Sequence, residues 1–92
     1  MKEITAFYLN NCPYCQKAKQ AAEELMQEHP AYHDILLNWY EESEHPEIVQ
    51  EYSYYYVPSM FIGKEKIYEA QPGQTYEEIK SFVQYVLNKA LE

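Results

Sequence analysis

The sequence predicts an α/β domain whose elements follow the order β-α-β-α-β-β-α. Short apolar runs rich in β-branched and aromatic residues alternate with longer segments of helix-forming residues. Proline and glycine lie at several boundaries between these runs, where secondary structure commonly ends. The 92 residues contain no internal repeat, low-complexity tract or linker, so residues 1–92 are expected to form one domain.

The first half of the chain is predicted to form a β-α-β unit. Ile4 to Leu9 is a short apolar strand that ends at the turn-prone pair Asn10-Asn11. A helix then runs from Pro13 until Pro30 stops it. His33 to Tyr40 is a nearly continuous apolar run, which indicates a strand covered on both faces and parallel to the first. The apolar face of the helix consists of Ala18, Ala21, Ala22, Leu25 and Met26.

A second, short helix is predicted in the middle of the chain. Pro46 is suited to the first turn of a helix, which is expected to extend to Tyr52. Either Ser43 or His45 is expected near its cap. The segment is acidic, so the helix is placed on the surface.

A hairpin and a final helix complete the predicted domain. Val57 to Ile62 and Lys66 to Ala70 flank Gly63-Lys64-Glu65, a spacing that predicts two antiparallel strands. Thr75 and Glu78 have the spacing of a capping box, which marks the start of the last helix. Its apolar stripe consists of Ile79, Phe82, Val83, Val86, Leu87 and Ala90.

Composition and charge narrow the range of functions. Seven basic residues against fifteen acidic ones give a net charge of -8, which repels a phosphate backbone and argues against nucleic acid as a partner. No apolar run reaches the length of a membrane span, and the N-terminus has no pattern of a secretory signal. A cytoplasmic protein that does not bind membranes is therefore expected.

Both cysteines of the chain lie in the motif CPYC, where the first strand meets the first helix. A thiolate at Cys12 would be stabilised by the unpaired amides and the dipole of the helix N-terminus. Pro13 suits the first turn, and Cys15, one turn later, points back toward Cys12. This position favours a redox pair in which Cys12 is the nucleophile and Cys15 the resolving thiol. The alternative is that both residues are small buried hydrophobes.

A zinc site is a second alternative for the same cysteines. Cys12, Cys15, His29 and His33 have the spacing C-x₂-C-x₁₃-H-x₃-H, which lies within the range of zinc sites. Two observations oppose it. Pro30 breaks the helix between the histidines, and the cysteines lie at a helix start, whereas a zinc finger needs them in a β-knuckle. No metal is therefore predicted.

The CPYC motif and the later pair Val57-Pro58, within this order of elements, resemble the thioredoxin-like superfamily and its glutaredoxin branch in particular. The resemblance covers essentially the whole chain. It implies a four-stranded mixed sheet flanked by three helices, and a cis bond before Pro58. It also implies that Pro13, Tyr14, Val57 and Pro58 position a substrate beside the cysteines. The implied function is a thiol-disulfide oxidoreductase that reduces protein or mixed disulfides.

The chain departs from both branches of that superfamily at the residues that recognise a partner. Leu9 stands where glutaredoxins usually have a lysine for glutathione, and Tyr68 to Gln71 replace their Gly-Gly turn. Tyr56 replaces the threonine before Val-Pro. Thioredoxins have an acid and a tryptophan where this chain has Ala6 and Asn11. No tightly bound cofactor is expected, and glutathione is expected at most as a co-substrate, because two of its usual anchors are absent.

The implied partners are disulfide-containing proteins and an electron donor, either a reductase or a low-molecular-weight thiol. The chain is expected to act as a monomer. Cluster binding by Cys12 across a dimer is an alternative that Pro13 disfavours. The rival from another class is a non-catalytic binding or adaptor module with the thioredoxin fold, whose partner surface is built from tyrosines. Those tyrosines are Tyr52, Tyr54, Tyr55 and Tyr56.

Four sets of residues have two interpretations each. Lys17 and Lys19 either raise the positive potential near Cys12 or belong to a solvated helix face. The tyrosines before Pro58 form either a groove for a peptide or a packed connection. Trp39 is assigned to core or sheet-edge packing. The glutamates are assigned to a solvated face that could also steer a basic partner: Glu41, Glu42, Glu44, Glu47 and Glu51.

Overall fold

The structure is a computed structural model that describes residues 1–92, and it confirms the predicted order of elements. Two short 3-10 turns lie on either side of the second strand, at Pro30–Tyr32 and Glu42–Glu44. No helix has both the length and the apolar character needed to cross a membrane. The strands and helices are β1 Ile4–Tyr8, α1 Pro13–Glu28, β2 Leu37–Glu41, α2 Pro46–Val49, β3 Ser59–Ile62, β4 Glu65–Glu69 and α3 Tyr76–Leu91.

The four strands form one mixed sheet in the order β2-β1-β3-β4. β1 and β2 are parallel, with Tyr8 opposite Glu41, as the β-α-β prediction requires. β3 is antiparallel to both β1 and β4, so the predicted hairpin is also confirmed. Gly63 has a φ of +60° in its two-residue turn, a conformation that glycine adopts without steric cost.

The second strand differs from its prediction in both position and environment. It begins at Leu37, because the 3-10 turn after α1 continues through the bond from the Ile35 N-H to the Tyr32 carbonyl. Ile35 is buried, but it fills the core from this turn. β2 is an edge strand, and its apolar residues, among them Trp39, are only half-buried. The expectation that both faces are covered is therefore wrong, whereas Trp39 does pack at the sheet edge.

The two faces of the sheet are covered by different parts of the chain. α1 packs against α3 through its small residues, and Ala18 and Ala21 are fully buried. This packing covers the face of Ile4 and Ala6. Phe7 points to the other face, where it contacts the aromatic rings Tyr40, Tyr52, Tyr54 and Phe61. Residues of β1 are therefore buried on both faces of the sheet, directly before the cysteine motif.

The final helix follows its prediction with one exception. The capping box between Thr75 and Glu78 is present in both directions. Phe82 was predicted in the apolar stripe, but it is 43% exposed and stacks on Tyr68 at the edge of the core. The five other predicted positions are buried: Ile79, Val83, Val86, Leu87 and Ala90.

The remaining boundaries shift by a few residues. α2 ends at Val49, three residues before the predicted end, and the helix has no buried residue. His45 is its N-cap residue but makes no side-chain capping bond. β3 starts at Ser59, since Val57 and Pro58 form a separate turn before it. β4 runs one residue earlier than predicted, which leaves Ala70 outside the strand.

Candidate active site

Cys12 caps the N-terminus of α1. Its backbone is extended, with φ -105° and ψ 112°, and the helix begins at the next residue, Pro13. The Cys12 sulfur accepts a hydrogen bond from the backbone N-H of Cys15 at 3.1 Å. The sulfur therefore occupies the position of an N-cap acceptor, next to amides that have no partner within the helix.

The two cysteines differ in exposure. Cys12 is partly exposed, whereas Cys15 is 1% exposed, and both are free thiols. Burial raises the pKa of Cys15 to about 12, and its hydrogen bond with the Cys12 side chain acts in the same direction. Cys15 is therefore a neutral thiol at neutral pH. A partly exposed cysteine therefore precedes a buried one by a single helical turn.

The turn at Val57-Pro58 lies against the cysteines. The peptide bond between these residues is cis, and Pro58 is buried. The carbonyl oxygen of Val57 accepts a hydrogen bond from the Cys12 thiol, with a sulfur-oxygen distance of 3.7 Å. Four of the predicted site residues, Cys12, Cys15, Val57 and Pro58, therefore meet although 45 residues separate Cys12 from Val57.

Tyr14 connects the cysteine motif to the loop before α3. Its phenol oxygen accepts a hydrogen bond at 2.7 Å from the backbone N-H of Gly73, in the loop before α3.

The two lysines of α1 both lie near aromatic rings. The Lys17 ammonium lies 5.8 Å from the centre of the Tyr14 ring. The Lys19 ammonium lies 3.3 Å from the centre of the Tyr8 ring. Lys19 thus packs on an aromatic ring, an arrangement that neither interpretation of the sequence included.

Glu41 is a site residue that the sequence analysis missed. Assigning it to a solvated face was wrong, because it is 6% exposed at the end of β2. Its carboxylate accepts hydrogen bonds from the backbone N-H of Asn10 at 3.2 Å and from both the N-H and hydroxyl of Ser43. The hydrogen bond from the Ser43 hydroxyl lowers the pKa of Glu41 despite its burial, so the carboxylate is ionised. Since parallel strands end at the same edge, the predicted pairing of β1 and β2 was the available signal.

An open cavity of about 380 Å³ is lined by both Glu41 and Cys12. A larger cavity of about 510 Å³ lies between α1 and β2, but neither cysteine lines it. The smaller cavity is therefore the one that opens beside the cysteine motif. Its lining residues are Leu9, Asn10, Asn11, Cys12, Glu41 and Ser43.

Glu69 forms a similar arrangement on the other side. Its carboxylate accepts hydrogen bonds from the backbone N-H groups of Tyr55 and Tyr56, at 2.5 and 2.6 Å, and pairs with Lys66. Burial acts to raise the pKa of Glu69, but the bonds from Lys66 and the two amides outweigh it and lower the pKa. The resemblance places glutathione anchors at this position, and here the side chain holds the turn before Pro58.

The tyrosines before Pro58 divide into two pairs. Tyr52 and Tyr54 pack against Phe7, and the Tyr54 hydroxyl donates a hydrogen bond to Glu42 at 2.6 Å. Tyr55 is 89% exposed, and Tyr56 is also exposed. Tyr52 and Tyr54 therefore form the packed connection, whereas Tyr55 and Tyr56 leave their rings exposed to a partner.

The histidines of the zinc alternative lie far from the cysteines. His29 caps the opposite end of α1 from Cys12 and contacts the ring of Tyr32. A helix of 16 residues is about 24 Å long, so His29 and Cys12 are too far apart to bind one ion. No group of three or more His, Cys, Asp or Glu side chains is arranged to hold a metal.

The chain is similar in structure to solved thioredoxins and to human ERp44. A point mutant of thioredoxin from Halobacterium salinarum is 20% identical, with a TM-score of 0.61 over 98% of this chain and 74% of its own. Thioredoxin 1 from Thermosipho africanus is 15% identical, with a TM-score of 0.60 over 98% of this chain and 99% of its own. A zinc-bound form of human ERp44 is 18% identical, with a TM-score of 0.57 over 98% of this chain and 26% of its own.

No protein-family model and no curated protein matches the chain. The TM-scores establish the fold. All three identities are below 25%, so these similarities concern the fold alone. The protein is thus an α/β protein with the thioredoxin-like fold that carries a Cys-x-x-Cys pair, Cys12 and Cys15, at the start of its first helix.

Proposed function

We propose that this protein is a thiol-disulfide oxidoreductase of the glutaredoxin-like group, which reduces protein or mixed disulfides. The observation that carries the proposal is the asymmetry of the pair at the helix start. Cys12 is accessible and caps the helix, whereas Cys15 is buried one turn behind it as a neutral thiol. A nucleophile and a resolving thiol need this arrangement, because only the first must reach the substrate.

The reaction proceeds by two exchanges. The Cys12 thiolate attacks one sulfur of the substrate disulfide, which forms a mixed disulfide and releases the other sulfur as a thiolate. Cys15 then loses its proton and attacks the Cys12 sulfur, which releases the second substrate thiol and leaves a Cys12-Cys15 disulfide. Two electrons pass to the substrate. The burial of Cys15 means that it becomes a nucleophile only when a base removes its proton during the second exchange.

Val57 and Tyr14 have supporting roles in this proposal. The Val57 carbonyl lies beside Cys12 and would align an extended substrate segment. Tyr14 would hold the loop at Gly73 against the motif. Pro13 and Pro58 shape the two backbone segments that face each other. We further propose that the protein acts as a monomer in the cytoplasm, which is a reducing compartment. A reductase or a low-molecular-weight thiol would supply its electrons.

The test compares disulfide reduction by the wild type, Cys12→Ser and Cys15→Ser. With insulin as the protein disulfide and dithiothreitol as the donor, Cys12→Ser should lose the reductase activity. Cys15→Ser should accumulate a mixed disulfide with the substrate, visible as an added mass. Activity of a folded Cys12→Ser variant equal to that of the wild type would sink the proposal.

The electron donor is tested separately. Oxidised protein is offered either glutathione or a thioredoxin reductase with its reduced nicotinamide, and the return of free thiols is followed. We expect the reductase to act faster, because Leu9 and Glu69 stand where two glutathione anchors are usual. Faster reduction by glutathione would assign the chain to the glutathione-dependent group.

Thiol alkylation distinguishes the two cysteines in the reduced protein. Cys15 should react with iodoacetamide far more slowly than Cys12 at neutral pH, because it is buried and remains protonated. Peptide mass spectrometry after timed labelling measures both rates. Equal rates would contradict the division into nucleophile and resolving thiol.

The exposed pair Tyr55 and Tyr56 favours a second candidate, a non-catalytic adaptor with the same fold. In that case the tyrosines would bind a partner without disulfide exchange. Partner binding that survives Cys12→Ser and fails in a variant with both tyrosines replaced by serine would support the adaptor.

A further inference from the structure

The cavity beside Cys12 is mostly polar and carries one negative charge, that of Glu41. It is lined by one carboxylate, two side-chain amides, a hydroxyl and the aliphatic Leu9, with the reacting sulfur at its rim. No lysine, arginine or histidine lines it. A substrate group that enters it therefore meets neutral polar groups and a single charge, which is negative.

The charge of Glu41 has no partner of opposite sign within ion-pair distance. Its three hydrogen bonds come from the neutral groups of Asn10 and Ser43, and these bonds stabilise the ionised form. A buried carboxylate in such a site keeps its charge, and the field extends into the adjacent cavity. Glu42 and Glu44, on either side of Ser43, add to the negative potential.

Few basic residues are available to offset the negative potential around the cavity. Residues 20–63 contain no lysine or arginine, and the chain has no arginine at all. Lys19 lies over Tyr8 and lines the other cavity, and Lys17 lies near Tyr14. His45 faces Glu47 at 3.9 Å. The lysines that pair with glutamates elsewhere are Lys64, Lys66, Lys80 and Lys89.

We propose that this cavity selects disulfides that carry a positive charge close to the reacting sulfur, as in a basic segment of a protein substrate, and disfavours anionic disulfides. The inference rests on the proposed function, since it names the substrate class for the same site. A lysine or arginine beside the substrate cysteine would place its cation next to Glu41. Oxidised glutathione, with four carboxylates and two ammonium groups, would instead bring net negative charge to the cavity.

Three small disulfides of similar size test the proposal: cystamine, hydroxyethyl disulfide and dithiodipropionate, which are cationic, neutral and anionic. In each reaction the reduced pair loses two electrons to the probe, the probe disulfide breaks into two thiols, and the Cys12-Cys15 disulfide forms. The rate of loss of alkylatable thiols gives a second-order constant. Each constant is divided by that for dithiothreitol with the same probe, which removes the difference in intrinsic reactivity.

Three variants each raise the net charge of -8 by one unit, so total charge is matched. Glu41→Gln removes the carboxylate and keeps an acceptor oxygen, and Leu9→Lys adds a cation to the cavity wall. Glu65→Gln is the control, because Glu65 is exposed at the hairpin end of β4 and forms no ion pair. Circular dichroism verifies that each variant is folded.

In the wild type and in Glu65→Gln, we expect the normalised rate to be highest for cystamine and lowest for dithiodipropionate. Glu41→Gln should lower the ratio of these two rates by about three- to tenfold, the effect of one partly screened charge at short range. Leu9→Lys should lower it at least as much, which keeps the test valid if Glu41→Gln fails to fold.

Equal normalised rates for the three probes in the wild type would overturn the inference and leave the proposed function intact. The same ratio in Glu65→Gln as in Leu9→Lys would also overturn it, because overall charge rather than the cavity would then be responsible. If no probe oxidises the pair, the proposed function fails and the inference fails with it.

Discussion

Two glutamates on opposite sides of Cys12 both hold backbone segments through hydrogen bonds, but their electrostatic surroundings differ. Glu41 accepts hydrogen bonds from the backbone of Asn10, in the loop that precedes Cys12. Glu69 accepts bonds from the backbone of Tyr55 and Tyr56, in the turn that faces Cys12. Both carboxylates have a lowered pKa, so both are ionised at neutral pH.

The difference lies in the counterion. Lys66 pairs with Glu69, so the charge of that carboxylate is largely cancelled and its role is to hold the turn. Glu41 has no such partner, and its charge acts on whatever enters the cavity. A buried acid beside an active site can therefore be a structural anchor or a source of selectivity, and the neighbouring cation decides which.

The largest effect on stability is expected from Glu69→Ala. The substitution removes a charged acceptor shared by two backbone amides and Lys66, a loss of about 1 to 3 kcal/mol in the free energy of unfolding. Urea denaturation measures the change. Disulfide reduction should also slow, because the turn that carries Val57 loses its support.

The matched control for this change is Glu65→Ala on the same strand. Glu65 is exposed and makes no ion pair, so its replacement should alter the free energy of unfolding by no more than about 0.5 kcal/mol. Equal losses in the two variants would show that the Glu69 hydrogen bonds contribute nothing to stability.

A smaller loss of stability is expected when the pH is lowered. Glu24 has a pKa of about 2, chiefly because Tyr76 and then Lys80 donate hydrogen bonds to it, and Glu41 and Glu69 are also shifted downward. A carboxylate with a lowered folded pKa contributes stability above its unfolded pKa of about 4.5 and loses it as the pH falls through the folded value. The urea midpoint should therefore fall as the pH decreases from about 4.5 toward 2.

Glu69→Gln provides the check on that pH dependence. The variant should be less stable than the wild type at pH 7, and its urea midpoint should fall less steeply in acid, because one of the shifted carboxylates is gone. An identical slope in the two proteins would mean that Glu69 does not titrate with folding.

The smallest effect is expected from Lys66→Met, which removes only the counterion. A partly exposed ion pair contributes about 0.2 to 1 kcal/mol, so the free energy of unfolding should decrease by no more than that. The change should make Glu69 resemble Glu41, and the preference for cystamine over dithiodipropionate should rise slightly. A loss of stability as large as that of Glu69→Ala would contradict the separation of anchor and counterion.

Much of the fold could be predicted because its signals are local. The strand before Asn10, the helix after Cys12 and the capping box at Thr75 each depend on residues within a few positions of one another. The strand at β2 was placed too early because an apolar run does not distinguish a buried turn residue such as Ile35 from a strand. Phe82 was misplaced because helical spacing does not show where the core ends.

The sequence by itself determined the order of elements and the position of Cys12 and Cys15 at a helix start, since both follow from short-range spacing. Only the tertiary structure decided which acids matter. Asn10 and Glu41 are 31 residues apart, and Tyr55 and Glu69 are 14 apart. In the sequence Glu41 is one of several neighbouring glutamates, and its burial depends on how β2 ends beside β1. The charge next to Cys12 is therefore a property of strand pairing, which no local pattern of residues records.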